Sequence, residues 1–596
     1  MLLYLFLLAA GSLMAAGPNR IFFTRIGPVK ASLFISKADG SDERPLLSST
    51  GLDYNPAWSP DGQWLAFTSE RNGSADLYRV KPDGSALERL TDNPAYDDQA
   101  AFSPESQRIV FVTTRGNGHA NLWILDLRTR KAKALTSGIG GDFRPSWSPD
   151  GKWIAFSSDR GSTLPMGKCR WEHLQIADLY LIHPDGSGLK RLTEHGNFCG
   201  SPKWTHDSRR IVAYCMSAEE TLTYRVPVEQ GETRLVSVDI ASGKAEPVAA
   251  ESGVKSAPSV LPSGEVAYIR GGSENPGIFY GQGRRGPKGS DLYSASWSPD
   301  GAQVAYNRSA FVPDTPGRKL WSRNPKFELR FAPANLPAFD PSGEHLLGSG
   351  YPTFGLSDTA FGGPSRIVYQ AQGRNIVGAS WSPRGDSILF GIGAFNAFRD
   401  PELKPAFSNG RVDGGAQVAI IQSDGSSFHE VTSGANNNGF PSFAPDGKRF
   451  VYRTAGPEGQ GLRIMDLETK KVTTLTTEYD NFPLWSPRGG LIAFVRQIQG
   501  DYEIFTIHPD GTGTRRLTFS PGNDSHGAWS PDGEWLLFSS TRMGFKDEAI
   551  YTGAPQPYGE LFVMRYDGTH VEQLTDNQWE DGGPAWQPVL KTTVKR

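Results

Sequence analysis

The chain has 596 residues, with 61 lysines and arginines against 64 aspartates and glutamates, so its formal net charge is only -3. This balance argues against nucleic acid or an acidic membrane as a partner, because both select clustered basic residues. Three cysteines are too few for a disulfide scaffold. The length also exceeds what one compact core accommodates, so we expect several stacked units.

The chain begins with an apolar run over residues 2–10, followed by small residues up to Gly17. A run of this length is typical of a secretory signal and is too short to span a bilayer. We therefore predict a signal peptide over residues 1–16, with an uncleaved anchor as the alternative. No other segment is apolar enough to cross a membrane, so we expect a periplasmic or secreted protein that is not an integral membrane protein.

A short motif then returns twelve times: an aromatic residue, a small polar residue, Pro, and Asp-Gly or a degenerate copy of it. Most neighbouring copies lie about 42 to 45 residues apart, which is the period of a four-stranded propeller blade. The clear copies begin at Trp58, Trp147, Trp297 and Trp529; the weaker ones lie at Phe102, Trp204, Phe339, Trp381, Phe443, Trp485 and Trp586, and at Val260, where valine replaces the aromatic residue.

One repeat shows how the unit is built. After Trp58, the Ser-Pro-Asp-Gly turn reverses the chain, because Pro60 suits a type I turn and Gly62 suits a positive φ. Alternating segments at 63–68 and 75–80 predict two more strands, and a second tight turn leads to a fourth at 87–91. We call the strands of a repeat a, b, c and d, with a innermost. The fold class is therefore predicted to be all-β.

Twelve blades exceed the usual four to eight, so we predict two six-bladed rings rather than one twelve-bladed ring. The proposed boundaries are 17–301 for the first ring and 302–596 for the second. Three strands precede Trp58, and a lone a strand ends the chain at Trp586. The predicted closure pairs the strand at Trp297 with the strand opened at Ile21, while Trp586 closes the second ring. We expect a monomer.

Three runs of the chain carry a family resemblance: 56–93, 145–193 and 504–538. They resemble the PD40 (WD40-like) repeats of the TolB-like propeller family. The resemblance covers nearly the whole chain after the leader and implies an exported propeller that binds protein or glycan. Related propellers precede hydrolase domains in prolyl oligopeptidase-like peptidases, but no Gly-x-Ser-x-Gly elbow occurs here.

The cysteines and glycine-rich segments provide few chemical motifs. For the cysteines the sequence leaves three alternatives: a disulfide between Cys169 and Cys199, unpaired cysteines, or a metal site using His173 or His195. The run 281–286 matches a dinucleotide fingerprint, but it lacks a following helix, so we interpret it as a loop. Neither a metal nor another cofactor is predicted.

The face opposite the Asp-Gly turns is the predicted binding site, because it carries every long insertion and the d-to-a loops. These loops bring acids, amides and aromatics to one end of each ring. We predict that they form a solvated acidic rim that binds a cationic or hydroxyl-rich ligand. The alternative is that each aspartate merely stabilises its own turn. The predicted ligand-binding residues are Asp53, Tyr54, Asp97, Asp98, Asp142, Phe143, Tyr479, Asp480, Asn481, Asp524, His526 and Asp581.

Two functions follow from this face. The favoured one is an exported binding or scaffold protein that engages a protein, peptide or cell-envelope polymer. The alternative is an enzyme acting on a glycan or peptide, with His526 as base and Asp524 or Asp480 as acid or orienting group. Binding is favoured because no nucleophile, metal cluster or carboxylate pair stands out from the repeats.

Overall fold

The computed structural model describes residues 19–588, apart from 49–50, 163–174, 195, 222–230, 249–251, 273–274, 282, 312–315, 333, 351–354, 361–364, 372–373, 394–414 and 549–558. Within these ranges the regular structure is β-strand, with one 3₁₀ turn at Glu219–Thr221. The fold is therefore all-β, as predicted. None of the described segments forms a helix that is long and apolar enough to span a bilayer. The predicted signal peptide at 1–16 lies outside the described residues.

The strands of the first half of the chain are short and closely spaced. In chain order they are β1 (Asn19–Ile26), β2 (Lys30–Lys37), β3 (Arg44–Pro45), β4 (Asp53–Trp58), β5 (Leu65–Ser69), β6 (Asp76–Val80), β7 (Glu88–Arg89), β8 (Asp97–Phe102), β9 (Arg108–Thr113), β10 (Asn121–Asp126), β11 (Ala132–Ala134), β12 (Asp142–Trp147), β13 (Ile154–Ser158), β14 (Asp178–Ile182), β15 (Lys190–Arg191), β16 (Phe198–Trp204), β17 (Arg210–Met216), β18 (Arg234–Asp239), β19 (Ala245–Pro247), β20 (Val254–Val260), β21 (Val266–Gly271), β22 (Gly277–Tyr280), β23 (Arg285–Lys288) and β24 (Leu292–Trp297).

The second half continues the pattern. Its strands are β25 (Gln303–Ala310), β26 (Lys319–Leu320), β27 (Phe327–Phe331), β28 (Asn335–Phe339), β29 (His345–Gly350), β30 (Gly355–Ala360), β31 (Ser365–Gln370), β32 (Ile376–Trp381), β33 (Ser387–Ile392), β34 (Gln417–Gln422), β35 (His429–Glu430), β36 (Asn437–Phe443), β37 (Arg449–Gly456), β38 (Gly459–Asp466), β39 (Val472–Thr474), β40 (Asp480–Trp485), β41 (Ile492–Ile498), β42 (Asp501–Ile507), β43 (Arg515–Arg516), β44 (Asp524–Trp529), β45 (Trp535–Ser540), β46 (Glu560–Arg565), β47 (Glu572–Gln573) and β48 (Glu580–Trp586).

The described strands form twelve four-stranded sheets. Ten sheets consist of four consecutive strands, such as β4-β5-β6-β7, joined antiparallel. Each of the twelve motif copies ends the first strand of a sheet, so the aromatic residue marks the point where strand a enters its tight turn. Because the a-to-b and c-to-d connections are local hairpins, sequence spacing alone predicts most of the pairing.

Two sheets combine distant parts of the chain, and here the predicted closure is wrong. β24, which ends at Trp297, pairs with β25, and β25 pairs with β2 rather than with the strand at Ile21. That strand, β1, pairs antiparallel with β48 and parallel with β27. The hairpin after Trp297 fills the second position of its own sheet, which leaves no place there for β1. Thus β1 and β25 both pair across the predicted boundary at residue 301.

The first strands of the sheets contact one another in two closed sequences. β4, β8, β12, β16, β20 and β24 form the first sequence, and β28, β32, β36, β40, β44 and β48 form the second. We call the corresponding sheets the first and second groups, and the spaces that the two sequences enclose the first and second channels. Apolar cores fill the space between neighbouring sheets, as where Leu33, Phe67 and Ala305 pack together. Such burial is the main stabilising contribution of the fold.

Every first strand contains a β-bulge near its start. One residue, three positions before the strand's last, has φ between 46° and 64°, and the ladder register shifts at that point. Ten of these twelve residues are not glycine, although positive φ is uncommon for other residues. The repetition marks the bulge as a regular part of the architecture. These bulge residues are Asn55, Gln99, Arg144, Ser201, Ala257 and Ser294 in the first group, and Leu336, Gly378, Phe440, Phe482, His526 and Gly583 in the second.

The disulfide differs from the predicted one. Cys199 bonds Cys215, its partner across β16 and β17, rather than Cys169. Cys169 lies outside the described residues. Sequence spacing placed the three cysteines at one end of the barrel but could not rank the possible pairings between them. The antiparallel register sets Cys199 and Cys215 side by side.

Candidate functional site

The aspartate that opens strand a belongs to a recurring buried ion pair. The Asp142 carboxylate accepts hydrogen bonds from Ser158 Oγ at 2.7 Å and Arg160 Nε at 3.0 Å. Asp524 is held in the same way by Ser540 and by Arg542 Nη2, the latter at 2.7 Å. The arginine comes from the end of strand b or just beyond it. The other members of this set are Asp53 with Arg71, Asp97 with Arg115, Asp480 with Arg496, and Asp581 with Arg25.

These aspartates are buried, so the predicted solvated rim is wrong. Their carboxylates are 0–1% exposed. Burial raises the pKa of Asp97 to about 6 even though Arg115 opposes the shift. Burial likewise raises the pKa of Asp142 and of Asp524. Because an arginine matches each of these six carboxylates, they do not present the free negative charge on which the cationic ligand was predicted. The aspartates have a structural role, as in the alternative, but they bind serine and arginine side chains at the end of strand b rather than only their own turn.

Strand c carries a second acid of the same kind, which the sequence reasoning missed. Asp178 accepts hydrogen bonds from Thr193 at 2.9 Å and from Arg191. Asp76 binds Thr91 and Arg89 in the equivalent place. The signal was present in the repeats as Asp-Leu-Tyr followed by Arg-Leu-Thr.

Tyr54, Phe143 and Asp98 are also enclosed. Tyr54 is 2% exposed and donates to Glu70 at 3.1 Å, while its ring meets Trp579 edge-on. Phe143 is fully buried in a core cluster. Asp98 accepts bonds from Asn55 Nδ2 at 2.9 Å and from Thr68 and Tyr96. None of the three presents the flat, open face that the sequence suggested.

Tyr479 and Asn481 keep part of their surface exposed, since both are half-buried. His526 is 6% exposed, and burial lowers its pKa to about 3. A histidine with this pKa is neutral at pH 7 and is a weak base. Asp524, meanwhile, is paired with Arg542 and has counterparts in five other sheets. This arrangement gives no support to a His526–Asp524 acid–base pair.

Most bulge residues of the first channel are polar, and four of them are joined by hydrogen bonds. The Arg144 guanidinium donates to Asn55 Oδ1 at 3.0 Å, and Ser294 Oγ donates to the same oxygen. The Arg144 amide donates to Gln99 Oε1 at 2.7 Å. Four bulge residues from different sheets are therefore joined in one network across the channel, which shows that their side chains point inward.

A segment of the second group enters this channel. Residues Phe545, Lys546, Asp547 and Glu548 follow β45 and are 5%, 1%, 3% and 0% exposed. Asp547 forms a two-bond ion pair with Arg144, whose Nε lies 2.7 Å from Oδ1. Burial raises the Asp547 pKa to about 7, although Arg144 opposes this shift. We call Phe545–Glu548 the plug.

The second channel is lined differently. The rings of Phe440 and Phe482 are centred 4.5 Å apart, and the rings of Phe482 and His526 are likewise 4.5 Å apart. Phe440 and Phe482 are only half-buried. A Cβ placed on Gly378 would lie 3.0 Å from Phe440 Cδ1, so glycine allows the ring to approach closely. The other members of the set are aliphatic or glycine.

A cavity of about 240 Å³ lies beside the strands β1 and β26. Its lining includes Arg25, Glu70, Trp321 and Asp576. Burial raises the pKa of Glu70, which accepts a bond from Trp579 Nε1 at 2.9 Å. The described residues contain no group of His, Cys, Asp and Glu side chains that could hold a metal ion.

Comparison with known proteins agrees with the repeat pattern. A family model described as PD40, the TolB beta propeller domain, matches residues 17–117, 94–223 and 406–556. The chain belongs to this family. The resemblance inferred from the PD40-like runs is thereby confirmed, and it accounts for the four-stranded sheets and their aromatic endings.

Individual relatives in and around the TolB propeller family match only in part. A "Protein TolB homolog" from Chlorobium luteolum is 32% identical over 194 residues, which are 30% of this chain and 43% of that protein. A "Dipeptidyl-peptidase 5" from Porphyromonas endodontalis is 28% identical over 144 residues, 23% of this chain and 21% of that protein. The chain thus spans less than half the length of these curated relatives.

Among solved structures, a putative TolB from Agrobacterium tumefaciens is 18% identical. The match covers 47% of this chain and 99% of that one, with a TM-score of 0.28. A TM-score this low supports no inference about function. The two channels are therefore the features of this chain that bear on its function.

Of the twelve bulge residues that line these channels, sequence reasoning named only His526. The first-channel residue Arg144 and the second-channel residue Phe482 occupy the same repeat position, three residues before the aromatic ending. That fixed spacing was available as a signal, but the bulge that turns the side chain inward was not visible from the pattern. The plug residues Asp547 and Glu548 carried no repeat signal at all.

Proposed function

We propose that this chain is an exported binding or scaffold protein made of two six-bladed propellers, and that it engages a protein, peptide or cell-envelope polymer at the second channel. Support for two rings comes from the two closed sequences of strand contacts. On this proposal the first propeller comprises residues 30–310, and the second comprises 19–26 together with 319–586. The two propellers are linked because each takes a strand from the other side of residue 301.

The observation that carries the binding proposal is the half-buried aromatic wall of Phe440 and Phe482. Aromatic rings combine a large apolar surface with little conformational freedom, which suits them to binding. The bulge lies near the start of strand a, so the wall lies toward the face that carries the long insertions. Tyr479, just before the strand that carries Phe482, and Asn481, on that strand, are half-buried and add a polar rim. In the first channel, the plug occupies the space beside Arg144.

We propose a ligand with a flat or apolar group, such as a proline- or aromatic-bearing peptide or the face of a sugar ring. The paired aspartates contribute by holding the loops and not by attracting charge. We favour binding over catalysis because His526 is neutral and packs edge-on against Phe482. We expect the protein to act as a monomer, which light scattering on the purified protein would check.

Site-specific photocrosslinking tests this proposal. A photoreactive phenylalanine analogue replaces Phe482 in cells, with the same analogue at Val472, an exposed position on the outer strand β39 of the same group, as the control. We expect an adduct with an envelope component from position 482 and none from position 472. Adducts from position 472 alone, or from neither position, would contradict the proposal.

Once a ligand is identified, Phe440→Ala with Phe482→Ala should weaken its affinity by about tenfold or more, because the contact area is removed. The melting temperature provides the control for folding. Unchanged affinity in a folded double variant would place the site elsewhere.

Export is a separate part of the proposal. Support comes from the apolar leader and from the Cys199–Cys215 disulfide, since disulfides persist in oxidising compartments. Mass spectrometry of the native protein should find an N-terminus near Gly17 in the periplasmic or secreted fraction. An intact 1–16 segment on cytoplasmic protein would contradict export.

A further inference from the structure

The Glu548 carboxylate lies in a pocket built entirely by the first group. Ser157 Oγ donates to Oε1 at 2.7 Å, and the Ser201 amide donates to the same oxygen at 2.6 Å. Ser201 Oγ and Tyr214 OH donate to Oε2 at 2.6 and 2.7 Å. Four donors on three strands thus converge on one carboxylate, and all of these residues are buried.

The pocket is shaped for this group. A Cβ on Gly200 would lie 2.5 Å from Glu548 Oε1, so any larger residue there would displace the carboxylate. Lys203 lies close enough that Glu548 and Arg144 both affect its pKa, which is lowered to about 8 mainly by burial. Without an acid, the hydrogen-bond donors of the pocket would be buried without an acceptor, and the positive charges of Lys203 and Arg144 would lose a nearby negative charge. Both changes cost free energy.

The neighbouring plug residues are recognised as well. Asp547 pairs with Arg144, and its carbonyl accepts a bond from Gln175 Nε2 at 3.0 Å. The Lys546 carbonyl accepts a bond from Gln99 Nε2 at 3.1 Å. Phe545 packs in a core cluster of the first group beside Phe143. The surface of the first group therefore binds an aromatic residue, backbone carbonyls and two adjacent carboxylates of the plug. The same kinds of contact are used in peptide recognition.

We propose that the first channel is a binding site for an acidic peptide segment, that the chain's own Phe545–Glu548 fills it in cis, and that an acidic segment of a partner protein exchanges with it. The site is distinct from the second channel and does not depend on the proposed function. The plug belongs to the connection between β45 and β46, so it binds as a tethered ligand. Its high effective concentration would keep the site filled until its contacts are weakened.

The first test uses the full chain and the peptide acetyl-Gly-Phe-Lys-Asp-Glu-Ala-amide with a fluorescent label. We expect the Asp547→Ala/Glu548→Ala variant to bind this peptide at least about tenfold more tightly than the unaltered protein does, because the tethered competitor is weakened. A peptide with Asn-Gln in place of Asp-Glu should bind neither protein. Adding Ser201→Ala and Tyr214→Phe to the variant should abolish binding. Equal affinity for both proteins, or no binding by the folded variant, would show that the plug is only an internal packing contact.

A second measurement decides the case if the double variant does not fold. Glu548→Ala alone leaves the donors of the pocket in place but removes their acceptor. Propionate should raise the melting temperature of this variant and leave that of the unaltered protein unchanged, because ligand binding to the folded state stabilises it. Propionamide, which has the same shape without the charge, serves as the control. Equal shifts in both proteins would overturn the proposal.

Discussion

The two channels have the same backbone and opposite linings. In each, six bulged strands turn one residue inward with a positive φ. In the first channel Asn55, Arg144 and Ser294 form a hydrogen-bonded network, and in the second Phe440, Phe482 and His526 form an aromatic wall. The difference teaches that the repeat specifies where a side chain points, while the residue at that one position decides what the channel does.

The plug is a second difference between the two channels. The first channel receives charged residues from the other half of the molecule, so its polar groups are satisfied internally. Buried polar groups need such partners, whereas aromatic rings do not. The first channel therefore connects the two halves, whereas the second is lined by aromatic rings that need no such polar partners.

The largest expected effect comes from breaking the polar channel. Arg144→Met leaves the buried Asp547 carboxylate without its cation and should lower the free energy of unfolding by about 3–5 kcal/mol. Phe482→Met, at the matched position of the second channel, should cost less than about 1.5 kcal/mol. Urea unfolding followed by tryptophan fluorescence measures both. Equal effects would show that the two channels are not energetically different.

The next effect tests what the channels share. Asp142→Ala in the first group and Asp524→Ala in the second should each cost about 2–3 kcal/mol, because each leaves a partly buried arginine and a serine hydroxyl without their acceptor. A solvated rim would instead tolerate both changes. Calorimetry on the two variants checks this, with Asp61→Ala at an exposed turn as the control. A large effect from only one of them would mean that the ion pair is not equivalent in the two groups.

A smaller effect depends on pH and comes from His526 in the second channel. The pKa of His526 is lowered by burial from 6.5 to about 3. The folded state therefore binds a proton less readily than the unfolded state, so this contribution to stability is full above pH 6.5 and falls as the pH drops toward 3. Between pH 6.5 and pH 5 the loss amounts to about 2 kcal/mol.

His526→Phe should remove this loss, since Phe440 and Phe482 show that a phenylalanine fits the same bulge. Urea midpoints at pH 7.5 and pH 5.0 give the comparison. Phe482→His is the reciprocal variant and should add a second acid-sensitive contribution. An unchanged pH dependence in His526→Phe would contradict the burial of a neutral imidazole.

The smallest expected effect comes from removing a single hydrogen bond of the first-channel network. Ser294→Ala removes one donor to Asn55 Oδ1, but Arg144 still donates to that oxygen. The cost should be about 0.5–1.5 kcal/mol, the net value of one hydrogen bond. Thermal unfolding measures it. A cost as large as that of Arg144→Met would mean that the network acts as a single cooperative unit.

Local features of the chain were predictable because the contacts that decide them are local. The Trp58, Trp147, Trp297 and Trp529 copies each end a first strand, and the turns after them form hairpins whose geometry depends on a few neighbouring residues. The same local periodicity identified the all-β class and the family. Even the Asp142–Arg160 pair joins two strands of one hairpin, although its burial was not foreseen.

The sequence by itself therefore determined the repeat, its four strands and the family, since each follows from residues a short distance apart. The tertiary structure alone decided that β1 pairs with β48, that Cys199 bonds Cys215, and that Asp547 and Glu548 enter the first channel. Two of these pairings join residues hundreds of positions apart, and the third depends on the register between two strands. No local pattern records which of several chemically equivalent partners will be closest. That choice is made by the contacts between neighbouring sheets and by the pairing of buried charges such as Asp547 with Arg144.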